Sequence, residues 1–153
     1  MTAVGKKSMN SPIVIRGRGV VPGVAEGKAM VTKETISGWG GISPMEGKII
    51  ETRHELVGQC FANKILLFRG AKGSSGWSAM FHMAKLAGVA PAAMLFTDMT
   101  AKAALGAVVM HVPTVTDFEE DPYSFIETGD HVRVNGSDGL VEIWKKPPAD
   151  LPE

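Results

Sequence analysis

Lys64-Ile65-Leu66-Leu67-Phe68, then Arg69-Gly70-Ala71-Lys72-Gly73-Ser74-Ser75-Gly76, then the run from Trp77 to Ala87, is the stretch that decides this fold. The first five residues are a short apolar run of the kind that forms a buried strand. The next eight hold three glycines, two serines and two cations, a composition that makes a loop. From Trp77 the spacing predicts a helix with Ser78, His82 and Lys85 on one narrow polar stripe, and Gly88 supplies the stop. A strand feeding a glycine-rich turn at a helix start leaves backbone N–H groups free to meet an anion. Ser74 and Ser75 stand at that point, where either could equally serve as the helix N-cap.

The surrounding chain frames this unit. Its 153 residues suit one domain with a real core, and 16 basic residues balance 16 acidic ones. Neutrality argues against nucleic acid or an anionic membrane surface as partner. Eighteen glycines and nine prolines predict many turns. The single cysteine, Cys60, excludes an internal disulfide and a metal cluster held by this chain alone, and reads as a small buried hydrophobe. Lys6-Lys7 is not followed by an apolar segment, so no signal peptide is expected, and no run is long enough to span a bilayer. A cytoplasmic domain is the expected setting.

Outward from the centre, residues 1–12 read as a flexible arm, 13–144 as the folded domain and 145–153 as a flexible tail. Ile13–Arg16 and Gly27–Thr32 are short, glycine-bounded strands, which suggests an antiparallel, barrel-like start. Ile36 to Pro44 has no periodicity and places Trp39 among glycines, as a plug over the core or as the wall of a ligand site. Glu46–Ile50 reads as a turn entering a strand. After Pro91, Ala92–Phe96 is a second buried strand. Thr97, Asp98 and Thr100 offer caps for a short helix over Ala101–Leu105, Gly106 ends it, and Ala107–Val112 is a third strand. That alternation argues a parallel sheet with crossover helices. Gly129–Val134 and Leu140–Trp144 flank Asn135-Gly136-Ser137-Asp138-Gly139, a hairpin signal. The fold class is therefore mixed α/β, with a barrel-like β part and a parallel strand–helix–strand centre.

Several chemistries are set aside. Lys72 precedes Gly73, so the contiguous Gly-Lys-Ser/Thr of a nucleotide-binding P-loop is missing. Neither serine has glycines two residues on both sides, as a hydrolase nucleophile elbow requires. His54, His82, His111 and His131 are scattered without metal-pair spacing, Glu119-Glu120-Asp121 reads as a solvated loop, and Met80 and Met83 read as core.

The ordered series Trp39-Gly40-Gly41, Lys72-Gly73-Ser74-Ser75, Ala90-Pro91-Ala92-Ala93, Gly106-Ala107 and Thr128-Gly129-Asp130 resembles the small subunit of aconitase X proteins, from about Ile13 to Ile143. The resemblance implies a swivel domain like the mobile last domain of aconitase. It also implies a large-subunit partner carrying an iron–sulfur cluster, and dehydration of a small hydroxy acid. The expected substrate is cis-3-hydroxy-L-proline, with mevalonate 5-phosphate as the alternative. Carried over residue by residue, Ser74 is the proton acceptor, while Ser75, Arg69, Lys72, Gly73, Trp39, Gly40 and Gly41 contact the substrate. A serine alkoxide needs its charge stabilised, and helix-start N–H groups with Arg69 or Lys72 supply that. Family loops commonly follow Gly-Ser with a small residue and Ser-Gly-Ser, whereas here Gly76-Trp77-Ser78 introduces an indole. Trp39 and Trp77 are accordingly expected to line one concave face that the large subunit closes. A swivel module that binds a ligand or regulates without chemistry is the remaining alternative. Phosphohistidine swivel domains share the layout but keep a histidine in the glycine loop, and none lies between Arg69 and Gly76.

Overall fold

The central strand is buried at all four positions, as a strand covered on both faces must be. A computed structural model describes residues 11–73 and 76–146. In chain order its strands are β1 (Ile13–Arg16), β2 (Arg18–Val21), β3 (Val24–Val31), β4 (Ile36–Ser37), β5 (Ile42–Ser43), β6 (Lys48–Ile49), β7 (Ile65–Phe68) and β8 (Ala71–Lys72). Helix α1 (Trp77–Leu86), β9 (Ala93–Phe96), helix α2 (Ala101–Met110), β10 (Thr114–Thr116), a 3-10 turn (Pro122–Ser124), β11 (His131–Asn135) and β12 (Leu140–Trp144) follow. One mixed sheet has the order β1-β12-β11-β3-β7-β9-β10-β2. Strands β3, β7, β9 and β10 run parallel, while β11 and β12 form an antiparallel hairpin that also pairs with β1 and β3. Both halves of the expected mixed α/β class are present.

Alternation along β7 and β9 sends side chains to two cores. Leu66, Phe68, Met94 and Phe96 meet Trp77, Phe81 and Phe61 beneath the helices. Ile65, Leu67, Ala93 and Leu95 meet Val132, Val134, Val141, Ile143 and Ile15 inside the curled β part. The two edges of the sheet come together. Gly17 N–H donates to the Gly139 carbonyl at 2.8 Å and Gly136 N–H to the Gly23 carbonyl at 2.8 Å. A Cβ at Gly19 would lie 1.9 Å from the Gly136 oxygen, so this closure requires glycine.

Three expectations need correction. Helix α2 does not stop at Gly106 but continues to Met110, and the third strand is Thr114–Thr116 rather than Ala107–Val112. Glycine costs about 1 kcal/mol inside a helix, yet here it lets α2 lie against the Trp77 ring. A Cβ at Gly106 would sit 2.3 Å from Trp77 Cζ3. The helix ends instead on His111 in the left-handed conformation, just before Pro113. Arg18–Val21 is a further strand, for which β10 supplies the partner. Met83 is exposed, unlike Met80. Beyond β12, Lys145 Nζ lies 2.6 Å from one Asp130 carboxylate oxygen, and Lys146 N–H donates to the other at 3.0 Å.

Candidate functional site

Two loops meet because two very short strands are parallel. β4 pairs with β8 in the register Ile36–Ala71 and Ser37–Lys72. Their carboxyl ends therefore deliver Trp39-Gly40-Gly41 and Gly73 to the same edge. β7 and β9 are parallel as well, and Asp98 N–H donates to the Arg69 carbonyl at 2.7 Å. The starts of α1 and α2 thus share this edge, where ligands of open α/β sheets bind. Lys102, in the first turn of α2, donates from Nζ to the Gly73 carbonyl.

Each cation at this edge has an acceptor. Arg69 Nε donates to Asp98 Oδ2 at 2.8 Å, with both side chains half-exposed. Lys72 Nζ lies 2.5 Å from Glu51 Oε2. Glu51 stands beside the Trp39–Gly41 loop, since Ile50 N–H donates to the Gly41 carbonyl at 2.8 Å. Burial pushes the Glu51 carboxyl up, but the Lys72 hydrogen bond and charge, aided by the Ser37 N–H, outweigh it and hold the group below the usual carboxylate range. Its second oxygen, Oε1, is buried without a hydrogen-bond partner.

The sequence-expected residues fare differently. Ser74 and Ser75 lie outside the described residues. Arg69, Lys72, Gly73, Gly40 and Gly41 lie on this edge, Gly73 having a positive φ of 100°. Trp39 is 76% exposed, a ring without a core to plug. Trp77 faces the other way and is fully buried, its indole N–H donating to the Ile36 carbonyl at 2.7 Å and its ring packed against Phe68 and Phe81. The two indoles share no cleft, and the Trp77 departure fills core rather than site. The α1 N-cap is Gly76, with no side-chain cap hydrogen bond. Glu51 and Lys102 were missed by sequence reading, because nothing in their local spacing ties residues 21 and 29 positions away to Lys72 and Gly73.

Neighbouring groups play other parts. His54 is buried: Nδ1 accepts from Leu56 N–H at 3.0 Å, so Nε2 carries the proton and donates to the Thr35 carbonyl at 3.1 Å. Burial pushes the Tyr123 phenol up to about 12, and its hydroxyl donates to the Thr32 carbonyl at 2.8 Å. A cleft of about 420 Å³ beside Thr97 is walled by Asp117, Glu119, Glu120 and Asp121, a surface that repels a carboxylate. Among the described residues, no group of three or more His, Cys, Asp or Glu side chains could hold a metal ion. Cys60 is partly buried, with Sγ 3.8 Å from the Glu46 carbonyl, and as the chain's one thiol it does not fit an iron–sulfur cluster's ligand set. No helix of the described residues is long and apolar enough to cross a membrane.

A curled mixed sheet carrying two helices on one face, with its loops gathered at the strands' carboxyl edge, defines a swivel domain of the aconitase type. The aconitase X swivel-domain model matches residues 14–143, and the chain belongs to that family. It is 36% identical over 135 residues to the phosphomevalonate dehydratase small subunit of Methanosarcina mazei, covering 88% of this chain and 94% of that one. The Archaeoglobus fulgidus phosphomevalonate dehydratase small subunit is 38% identical over 126 residues, 82% and 95% of the two chains. The holo-form crystal structure of Thermococcus kodakaraensis aconitase X superposes with a TM-score of 0.81 at 32% identity, over 87% of this chain and 99% of that chain.

Proposed function

We propose that this chain is the small subunit of a hydro-lyase that removes water from a small hydroxy acid, with Ser74 as the proton acceptor. The observation that carries the reading is the meeting of the two glycine loops at the starts of α1 and α2. A carboxylate brought there faces helix-start N–H groups and an ammonium, the donors that stabilise charge developing as the neighbouring proton leaves. Arg69 and Lys72 lie on the same edge, paired but half-exposed, so each keeps donors for a ligand. An iron–sulfur cluster would belong to the large-subunit partner, since this chain offers one cysteine. When bound there, it would supply Lewis-acid chemistry to the complex. This chain's part is to bind the acid's carboxylate, orient it and take the proton at Ser74 Oγ.

The names of the relatives favour mevalonate 5-phosphate as substrate. One observation favours cis-3-hydroxy-L-proline. Arg69, Lys72 and Lys102 all have acceptors, which suits a zwitterion better than a phosphate dianion. Co-expression with an aconitase X large subunit, then assay on both acids, decides between them. Ser74→Ala should lower turnover by at least about a hundredfold, the scale of a positioned general base. Its melting temperature should fall by no more than a lost helix cap would cost, about 1 kcal/mol. Near-normal turnover would end the assignment of Ser74. Assembly with no dehydration of either acid would end the enzyme reading and favour a ligand-binding or regulatory module.

A further inference from the structure

We infer that Glu51 is a positioning residue for the dehydration: it holds the Lys72 ammonium at the mouth of the two-loop site, where Lys72 binds the substrate's carboxylate. This rests on the functional reading above and adds a residue to it.

The argument starts from where Glu51 sits. It follows the small β5–β6 hairpin, whose residue Ile50 is tied to Gly41, so its backbone is fixed to the Trp39–Gly41 loop. Its side chain crosses to the other loop and reaches Lys72 at 2.5 Å. Ser37, beside Lys72 in the β4–β8 pair, is one of the groups that lower the Glu51 carboxyl. One carboxylate thus connects both loops and the strand pair beneath them.

Lys72 itself is half-exposed, with 50% of its side chain open. A lysine in that position ordinarily samples many rotamers, and ordering it on binding would cost affinity. Glu51 removes that freedom beforehand. An ammonium has three donors, so engaging one with Glu51 leaves two for a ligand. The pair is neutral overall, so the site gains an aimed donor without a strong field.

The second oxygen of Glu51 separates this role from simple bracing. A carboxylate kept for stability has its lone pairs filled, because an unpaired buried acceptor costs free energy. Glu51 Oε1 is buried and unpartnered. That pattern fits a group kept for the lysine it aims rather than for the bonds it fills within the fold.

The test is a double-variant cycle in the assembled large- and small-subunit enzyme, using the hydroxy acid that the wild type dehydrates. Glu51→Gln keeps the shape and removes the charge. It should raise KM about tenfold, the scale of one charge-assisted hydrogen bond, and leave kcat within about threefold, as expected for lost binding that is uniform along the reaction. Lys72→Met should raise KM at least as much. Adding Glu51→Gln to Lys72→Met should then change KM by no more than about twofold, because its target is gone. Independent, multiplicative effects would overturn the inference, as would an unchanged KM in Glu51→Gln. If Glu51→Gln fails to assemble, Glu51→Asp, which retains charge but withdraws it by one methylene, takes its place with the same expectations. A wild-type enzyme that turns over no hydroxy acid overturns the functional reading, and this inference with it. Turnover without coupling overturns the inference alone.

Discussion

Asp130 and Glu51 are both carboxylates tied to a lysine and held below the usual range, yet they are built differently. Asp130 is fully buried, and every bond it needs is made within the fold. Oδ1 accepts from Lys146 N–H at 3.0 Å, while Oδ2 accepts from Glu127 N–H at 2.8 Å and from Lys145 Nζ at 2.6 Å. Glu51 has one oxygen on Lys72 and the other, though buried, on nothing. The first clasps the end of the chain to the turn before β11. The second stands between two loops at the edge proposed to receive the substrate. Satisfaction of hydrogen bonds, rather than burial or charge, separates the structural carboxylate from the site carboxylate.

The largest stability effect expected from this contrast falls on Asp130→Asn. All three partners of Asp130 donate, so an amide must aim its own NH2 at one of them. We expect a loss of about 2–3 kcal/mol at neutral pH, read as a melting temperature lower by roughly 5–10 °C for a chain of this size. The pH dependence has a definite sign. Burial pushes the Asp130 carboxyl up, but Lys145 and the N–H groups of Glu127 and Lys146 bring it below its ordinary value. A depressed carboxylate contributes stability above its unfolded pKa and loses it as pH falls through the folded pKa. The wild type should therefore lose stability on acidification below about pH 4, and the gap to Asp130→Asn should close there. Glu127 is also lowered, by the Lys146 hydrogen bond first, but it titrates in both proteins and cancels in the difference. A gap that stays constant with pH would remove Asp130 from the structural side of the comparison.

The fold was legible where local signals and tertiary packing agree. Val132, Val134, Val141 and Ile143 alternate inward around a turn rich in glycine, and the hairpin stands where that pattern placed it. Ile65–Phe68 and Ala93–Phe96 read as buried strands because each is apolar throughout. The sequence misled at Gly106, where a helix breaker marks a close crossing with Trp77, a contact 29 residues away along the chain. Trp77 was misplaced for the same reason: an indole beside a glycine loop faces ligand or core depending on partners such as Phe68 and Phe81. At the site, Lys72 and Gly73 were legible from their motif. Glu51 was not, because its meaning depends on the pairing of two-residue strands too short to carry a periodic signal.

An intermediate effect is expected at Thr100, a neutral acceptor with one bond. Its side chain caps α2 by accepting from Ala103 N–H at 3.2 Å. Thr100→Ala should cost about 1 kcal/mol, or roughly 2–4 °C. A Thr100 variant as damaging as Asp130→Asn would mean that burial, not charge and satisfaction, sets the order.

The smallest stability effect belongs to Glu51→Gln, and it breaks or makes the comparison. Lys72 is half-exposed, so solvent screens the pair and reclaims the ammonium when the carboxylate is gone. The oxygen that had no partner loses nothing, and a glutamine can keep its carbonyl toward the Lys72 ammonium with its NH2 on the other side. These terms leave a cost under about 1 kcal/mol, within roughly 2–4 °C by thermal melt of the full chain. That small shift, alongside the tenfold rise in KM expected of the same variant, is the signature of a side chain kept for its ligand. A loss comparable to that of Asp130→Asn would make Glu51 a second structural clasp, whatever the kinetics of the assembled enzyme.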